Sequence, residues 1–307
     1  MSPDHPRTRE RTLLAVPATT ARFLEKAAQS AADAVFLDLE DAVTPEFKQQ
    51  ARALAIQALN ELDWGARKVA VRVNGLDTSW GCREILDLVE SCPRLDSILV
   101  PKCSSADDVR AAEVLVRAAE KAGGRERPVR IDALIETARG VAHVEAIAAA
   151  SERLGALVFG AGDYQRDLGK FQRVVGAPSA DYAVLTDADP DGHRQVHWND
   201  QWHFAMARIA NAARAYGLTP VDGPFTAIKD AEGLRAAARR ALALGFAGKM
   251  AIHPDQLATI TEVFSPSPEQ VVWAREVLQL MAEASSSGKG AVKDARGDML
   301  DIMHVNL

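Results

Sequence analysis

Two short apolar runs in this chain each stop at a carboxylate. Ile131–Ile135 is closed by Glu136, and Ala156–Phe159 leads through Gly160-Ala-Gly to Asp163. A helix-length segment lies between them. If both runs are parallel strands they point the same way, so Glu136 and Asp163 emerge at one sheet edge on neighbouring strands. Two oxygen donors so placed suit a hard divalent cation such as Mg²⁺, with coordination positions left open for a substrate. As an isolated pair, such acids more often cap the next helix or pair with an arginine. Other residues shift that balance. Asp38, Glu40, Asp41, Arg72, Lys102, Asp222 and His253 also fall at or just past the ends of apolar runs. Any one of them reads equally as a cap or a satisfied ion pair, but the whole set reads as a site.

The elements that must carry these residues follow from the same pattern. Strands are expected at Thr12–Val16, Ala34–Asp41, Lys68–Asn74, Ser97–Lys102, Arg130–Glu136, Ala156–Gly160, Leu218–Gly223 and Gly248–Pro254. Most are continuous apolar runs, as expected of strands buried on both faces. Helical spacing is read at Arg22–Ala32, at Pro45–Leu62 with Thr44 as N-cap, at Ala106–Ala122 ended by Gly123 and Gly124, and at Gln201–Tyr216 with Asn199 or Asp200 as cap. Eight strands alternating with helices predict an α/β chain folded as a (β/α)8 TIM barrel, whose active sites form at the carboxyl ends of the strands. An open doubly wound sheet is the competing architecture. Its dinucleotide-binding form calls for a glycine-rich phosphate loop after an early strand, and the sequence has none.

Two stretches exceed a minimal barrel. Lys170–Asn199, rich in Asp, Gly, His and Pro, reads as a long loop over the active face. His197 and His203 lie beside Trp198 and Trp202 without the HExxH spacing, which favours packing over zinc binding. The domain reading is a catalytic barrel over 1–265 and a C-terminal extension over 266–307. That extension is expected to hold a helix at Ser267–Glu283, a flexible hinge at Ser285–Gly290, and a small element at Gly297–Asp301 acting as a lid.

Composition bounds the class. The 307 residues are 48% apolar and 25% charged, ordinary for a globular enzyme, with a net charge of −6. That balance argues against general nucleic-acid binding. No apolar run is long enough to span a membrane, and Met1–Glu10 lacks the apolar core of a signal peptide. Cys82, Cys92 and Cys103 have no CxxC spacing and read as reduced thiols of a cytoplasmic protein.

A family resemblance adds to this reading. Phe36–Val43 (FLDLEDAV), Val71–Asn74 (VRVN), Val100–Lys102 (VPK), Ile135–Ala138 (IETA), Phe159–Tyr164 (FGAGDY), Gly248–Pro254 (GKMAIHP) and Gly297–Asp301 (GDMLD) occur in this order. Together they resemble the citrate-lyase beta-subunit-like acyl-CoA lyases of the HpcH/HpaI aldolase superfamily. Val73–Thr78, the insertion ending at His197-Trp198, and Val221–Phe225 further resemble its malyl-CoA lyase branch. The resemblance implies Mg²⁺-dependent, reversible cleavage of L-malyl-CoA to acetyl-CoA and glyoxylate, and of β-methylmalyl-CoA to propionyl-CoA and glyoxylate.

It also implies roles for particular residues. Glu136 and Asp163 would hold Mg²⁺, with Mn²⁺ as an alternative. Arg72 would bind the substrate's carboxylate end, with Glu40 and Asp41 orienting Arg72 and metal-bound water. Asp301 matches the catalytic acid/base, which a neighbouring subunit supplies, so a homotrimer or a dimer of trimers is implied. Lys26 matches a position that meets the phosphates of coenzyme A in relatives, and Arg22 would compensate for Thr20, which stands where relatives carry a basic residue. The alternatives are a malyl-CoA thioesterase or citramalyl-CoA lyase, a citrate lyase beta subunit, and a non-catalytic acyl-CoA-binding protein.

Overall fold

The structure, a computed structural model, describes residues 10–179 and 181–305. Of the polar opening segment Met1–Glu10, all but Glu10 lies outside the described residues.

Eight parallel strands close into a barrel: β1 (Thr12–Pro17), β2 (Ala34–Asp38), β3 (Lys68–Arg72), β4 (Ser97–Val100), β5 (Arg130–Ile135), β6 (Leu154–Phe159), β7 (Thr219–Asp222) and β8 (Gly248–Ala251). Each strand pairs with the next in sequence, and β8 returns to β1 with Thr12 opposite Lys249. Both strand faces are covered, so β2 is buried at all five positions. This is why the runs read as continuously apolar. β2 through β8 end one to three residues before the expected limit, leaving Glu136 and Lys102 just past their strands, whereas β1 runs one residue further, to Pro17. A helix absent from the sequence reading, Gly81–Ser91, joins β3 to β4.

Alternation along the strands decides what faces inward. Phe36, Ala70, Leu99, Leu134, Val158 and Met250 pack together inside the barrel. Their neighbours Val35, Leu37, Val71 and Ile98 pack outward with helix residues such as Ala51, Ala55 and Leu88. Two residues beyond the inner apolar layer, the same faces carry Asp38, Arg72 and Glu136. Two residues before it they carry Lys68, Ser97 and Asp132. At that amino-terminal end Lys68 Nζ lies 2.8 Å from Asp132 Oδ2 and 3.1 Å from Glu10, and Ser97 Oγ donates to Asp132 Oδ2 at 2.7 Å. The barrel is therefore apolar in the middle and charged at both ends.

The Lys170–Asn199 stretch is not all loop. Ala183–Leu185 and Val196–Trp198 pair as an antiparallel hairpin. The next helix begins at His203, two residues later than expected, with Asp200 Oδ1 accepting from Trp202 N at 3.0 Å. His197 and His203 are both exposed, so neither has the packing role expected of it. Trp202 has it instead: the ring is buried and meets Phe159 edge-on at 6.1 Å.

A second compact unit begins at Ser265. Its helix, Pro268–Ser286, opens with a reciprocal cap between Ser267 and Gln270. The helix runs through Ser286, so the expected hinge narrows to residues 287–290. Ala291–Lys293 then pairs antiparallel with Met299–Asp301, and Leu300 packs on Val277 and Met281 of the helix. No helix among the described residues is long and apolar enough to cross a membrane.

Candidate active site

At the carboxyl end of the barrel, Arg72 is held as a fork. Asp38 accepts from its Nε at 2.7 Å and from its Nη2 at 2.6 Å, and Glu40 Oε2 lies 3.0 Å from Nη1. Burial works against the guanidinium charge, but the Asp38 bonds and the facing acids more than offset it, so its pKa is raised. Two of the five N–H groups donate to Asp38, and Glu40 Oε2 faces Nη1 as an ion pair without a hydrogen bond. The N–H groups that Asp38 does not take can meet a ligand oxygen pair. Asp38, not Asp41, is thus the partner that orients Arg72.

Glu40 and Asp41 follow β2 on a loop fixed from behind. Lys48 Nζ donates to the carbonyls of Leu39 and Glu40 at 2.8 and 2.7 Å, and to Asn74 Oδ1 at 2.7 Å. Asn74 in turn donates through Nδ2 to Glu84 Oε1 at 2.7 Å. Lys48, Asn74 and Glu84 are all buried. Sequence reasoning assigned none of them a role. Asn74 ends the VRVN block and carried a signal, whereas Lys48 and Glu84 lie inside helices and carried none. On the open side, Lys102 Nζ pairs with Glu40 Oε1 and lies 3.3 Å from Asp41 Oδ1.

Glu136 sits directly after β5 and is 2% exposed. Burial and the nearby Asp163 charge push its carboxyl up to about 8, despite Arg72 and the Lys102 N–H acting the other way. Oε1 accepts that N–H at 2.9 Å. The other oxygen lies against Gly160, where a Cβ would come within 2.4 Å of both Glu136 Cβ and Oε2. Asp163 lies not on a strand but in the first turn of the Ala161–Asp167 helix, with Oδ1 2.7 Å from Arg166 Nη2.

The donor set fits a divalent cation. The Asp163 charge opposes ionisation of Glu136 at the same mouth, a glycine makes room for the Glu136 carboxylate, and the oxygens are hard. A cation there would let both be anionic together. A separate group, Asp189, Asp191 and His193, also brings three ligand atoms within 4.8 Å. All three are exposed on the insertion's hairpin turn, and Asp189 Oδ1 already accepts the Asp191 and His193 N–H groups at 3.0 and 2.7 Å. Those bonds account for that cluster.

Other strand-end residues are structural. Asp222 faces outward and pairs with buried Lys249 at 2.5 Å. His253 Nδ1 accepts from Asp255 N at 3.2 Å, capping a short 3₁₀ turn. Arg22 and Lys26 are exposed on the Ala21–Ala28 helix that follows β1. Asp301, in the second unit, bonds His304 Nδ1 at 3.0 Å and accepts from Met303 N at 2.9 Å. The His304 bond foremost, then the Met303 N–H, holds its pKa below the usual aspartate value.

A closed parallel barrel with two carboxylates and a gripped arginine at its carboxyl face defines the class as a TIM-barrel enzyme whose mouth could hold a metal ion. The sequence profile of the HpcH/HpaI aldolase/citrate lyase family matches residues 11–254, and the chain belongs to that family. It is 45% identical over 306 residues to an L-malyl-CoA/beta-methylmalyl-CoA lyase of Cereibacter sphaeroides, covering 99% of this chain and 94% of the relative. It is 37% identical over 296 residues to a (3S)-malyl-CoA thioesterase of the same species, covering 96% and 90%. Among solved structures it resembles CitE from Mycobacterium tuberculosis, in complex with magnesium, acetoacetate and coenzyme A. The TM-score is 0.70 at 29% identity, covering 98% of this chain and 97% of that one.

Proposed function

We propose that this chain is a divalent-metal-dependent carbon–carbon lyase. It cleaves L-malyl-CoA reversibly to acetyl-CoA and glyoxylate, and β-methylmalyl-CoA to propionyl-CoA and glyoxylate. The observation that carries the reading is the meeting of Glu136, Asp163 and Arg72 at one barrel mouth. The 45% identity over 306 residues supports the choice of substrate.

Splitting a β-hydroxyacyl thioester requires the hydroxyl proton to leave, the new keto acid to be held, and the thioester enolate to be protonated. Mg²⁺ held by Glu136 and Asp163 would supply a Lewis acid for the forming carbonyl. Arg72 would bind the carboxylate end with N–H groups that Asp38 does not take. Asp38 and Glu40 keep that fork aimed, so little orientation is left to be lost on binding. Asp301, with its lowered pKa, is ionised at neutral pH. In cleavage it would take the hydroxyl proton and deliver it to the enolate carbon, and in condensation it would take the proton from the acyl methyl group and return it to the new hydroxyl oxygen. We assign its supply to a neighbouring copy, in a homotrimer or a dimer of trimers. Arg22 and Lys26 would meet the coenzyme A phosphates. Three cysteines without disulfides suit a cytoplasmic location.

The thioesterase relative supports a second reading, because hydrolysis could use the same carboxylates. The test is a product assay with L-malyl-CoA, with and without Mg²⁺, following glyoxylate and free thiol separately. Metal-dependent glyoxylate without free thiol is expected. Free thiol with malate and no glyoxylate would overturn the lyase.

A further inference from the structure

Lys102 is the one non-glycine residue among the described residues in the left-handed region, with φ of 48°. Lysine carries a Cβ there and gains nothing local to compensate, unlike glycine or asparagine. Such a conformation persists only where the surroundings over-determine it, and it clusters at functional sites. The preceding residue is Pro101, and a proline followed by a positive φ is a type II turn pattern, in which Gly or Asn is usual at the second position.

The surroundings do over-determine it. The turn is fastened to the Glu136 segment at three successive residues. Lys102 N donates to Glu136 Oε1 at 2.9 Å. Cys103 N donates to Leu134 O at 3.1 Å. Ser104 Oγ shares a 2.8 Å hydrogen bond with Thr137 Oγ1 and also donates to Lys102 O at 2.9 Å. The approach is close enough that a Cβ on Gly140 would meet Cys103 O at 2.4 Å. The strained residue is the one whose N–H reaches the buried carboxylate.

We infer that Lys102 is a positioning residue whose left-handed backbone fixes the Glu136 carboxylate for cation binding. The backbone N–H takes one oxygen and leaves the other beside Gly160. The inference rests on Glu136 being a metal ligand, and it assigns this part of the role to the backbone rather than to the ammonium group. A backbone at ordinary negative φ would swing the N–H off Oε1.

A charge-matched series separates the two. Lys102→Gly, Lys102→Asn, Lys102→Ala and Lys102→Val all remove the ammonium but differ in tolerance of positive φ. Mg²⁺ dissociation constants are measured by calorimetry on the metal-stripped full chain, below each variant's unfolding temperature. Gly and Asn should bind alike, and Val about tenfold more weakly or worse, as for losses behind a metal ligand, with Ala between. If the Val variant does not fold, the Gly and Ala pair carries the comparison. A purely structural role would lower unfolding temperatures across the series and leave the dissociation constants equal. Equal constants in all four, with Glu136→Gln unable to bind Mg²⁺, would overturn the inference alone. Undiminished binding by Glu136→Gln would overturn the ligand assignment beneath it.

Discussion

Asp38 grips Arg72 with both carboxylate oxygens, at 2.7 Å to Nε and 2.6 Å to Nη2. The planar fork is what allows this, and a lysine cannot reproduce it. Arg72→Lys should keep the charge yet lower kcat/KM at least about 100-fold, because both the grip and the ligand-facing N–H pair are lost. Arg72→Met should also destabilise the fold by about 3–5 kcal/mol, since it leaves Asp38 buried without its partner and Glu40 with Lys102 alone. Steady-state kinetics and denaturant unfolding check the two effects separately.

Gly160→Ala tests the space beside Glu136. The added methyl would lie within 2.4 Å of both Glu136 Cβ and Oε2, so the carboxylate must turn away and the two segments must move apart. Mg²⁺ affinity should fall at least about tenfold with the barrel intact. Calorimetry together with circular dichroism would show it, and unchanged affinity would remove Oε2 from the cation site.

The Glu136 carboxyl gives a pH signature. Burial, with the Asp163 charge beside it, pushes the group up to about 8 in the metal-free fold, against 4.5 for an ordinary glutamate. Between those values the folded state holds a proton that the unfolded state has released. This group's contribution to metal-free stability therefore falls as pH rises through that window. Bound Mg²⁺ displaces the proton, so the rise in Tm on adding Mg²⁺ should be larger at pH 8.5 than at pH 6. Thermal unfolding with and without Mg²⁺ at both pH values is the check; an equal rise at both would contradict the coupling.

Asp301→Asn should nearly abolish turnover while leaving Mg²⁺ affinity unchanged. If Asp301 serves a neighbouring copy, mixing Asp301→Asn with Glu136→Gln chains should restore part of the activity, since some sites then combine an intact barrel with an intact second unit. No recovery after confirmed subunit exchange would place the residue's action within its own chain or outside the mechanism.

At the opposite barrel end, Lys68→Met should cost about 3–5 kcal/mol by stranding Asp132 and Glu10. Turnover at temperatures where the variant stays folded should be unchanged. A denaturant midpoint equal to that of the parent protein would show that this charged layer contributes nothing.

Much of the barrel was legible because strands buried on both faces must be apolar, and glycine, proline and acids punctuate them. The positions of Glu136 and Arg72 at strand ends were legible for the same reason, a charge that closes an apolar run, whereas Asp163 lies past its strand in the first turn of the next helix. The hairpin within Lys170–Asn199 was not, because its short strands expose Val184, Leu185 and Val196 and carry no burial pattern. Nor was the helix Gly81–Ser91 read, or the support given by Lys48 and Glu84. A lysine inside a helix looks solvated until the fold buries it against two carbonyls.

The sequence by itself determined the alternation of strands and helices, and which carboxylates lie at strand exits, because local burial and periodicity are written residue by residue. Only the tertiary structure decided the partners. Asp38 rather than Asp41 holds Arg72, because two-residue alternation turns Asp38 into the barrel beside it. Asp222 and His253, equally well placed along the chain, serve as structural supports, because their side chains face other neighbours. The left-handed turn at Lys102 also belongs to the tertiary level: contacts from a different strand hold a lysine where its own preference would not.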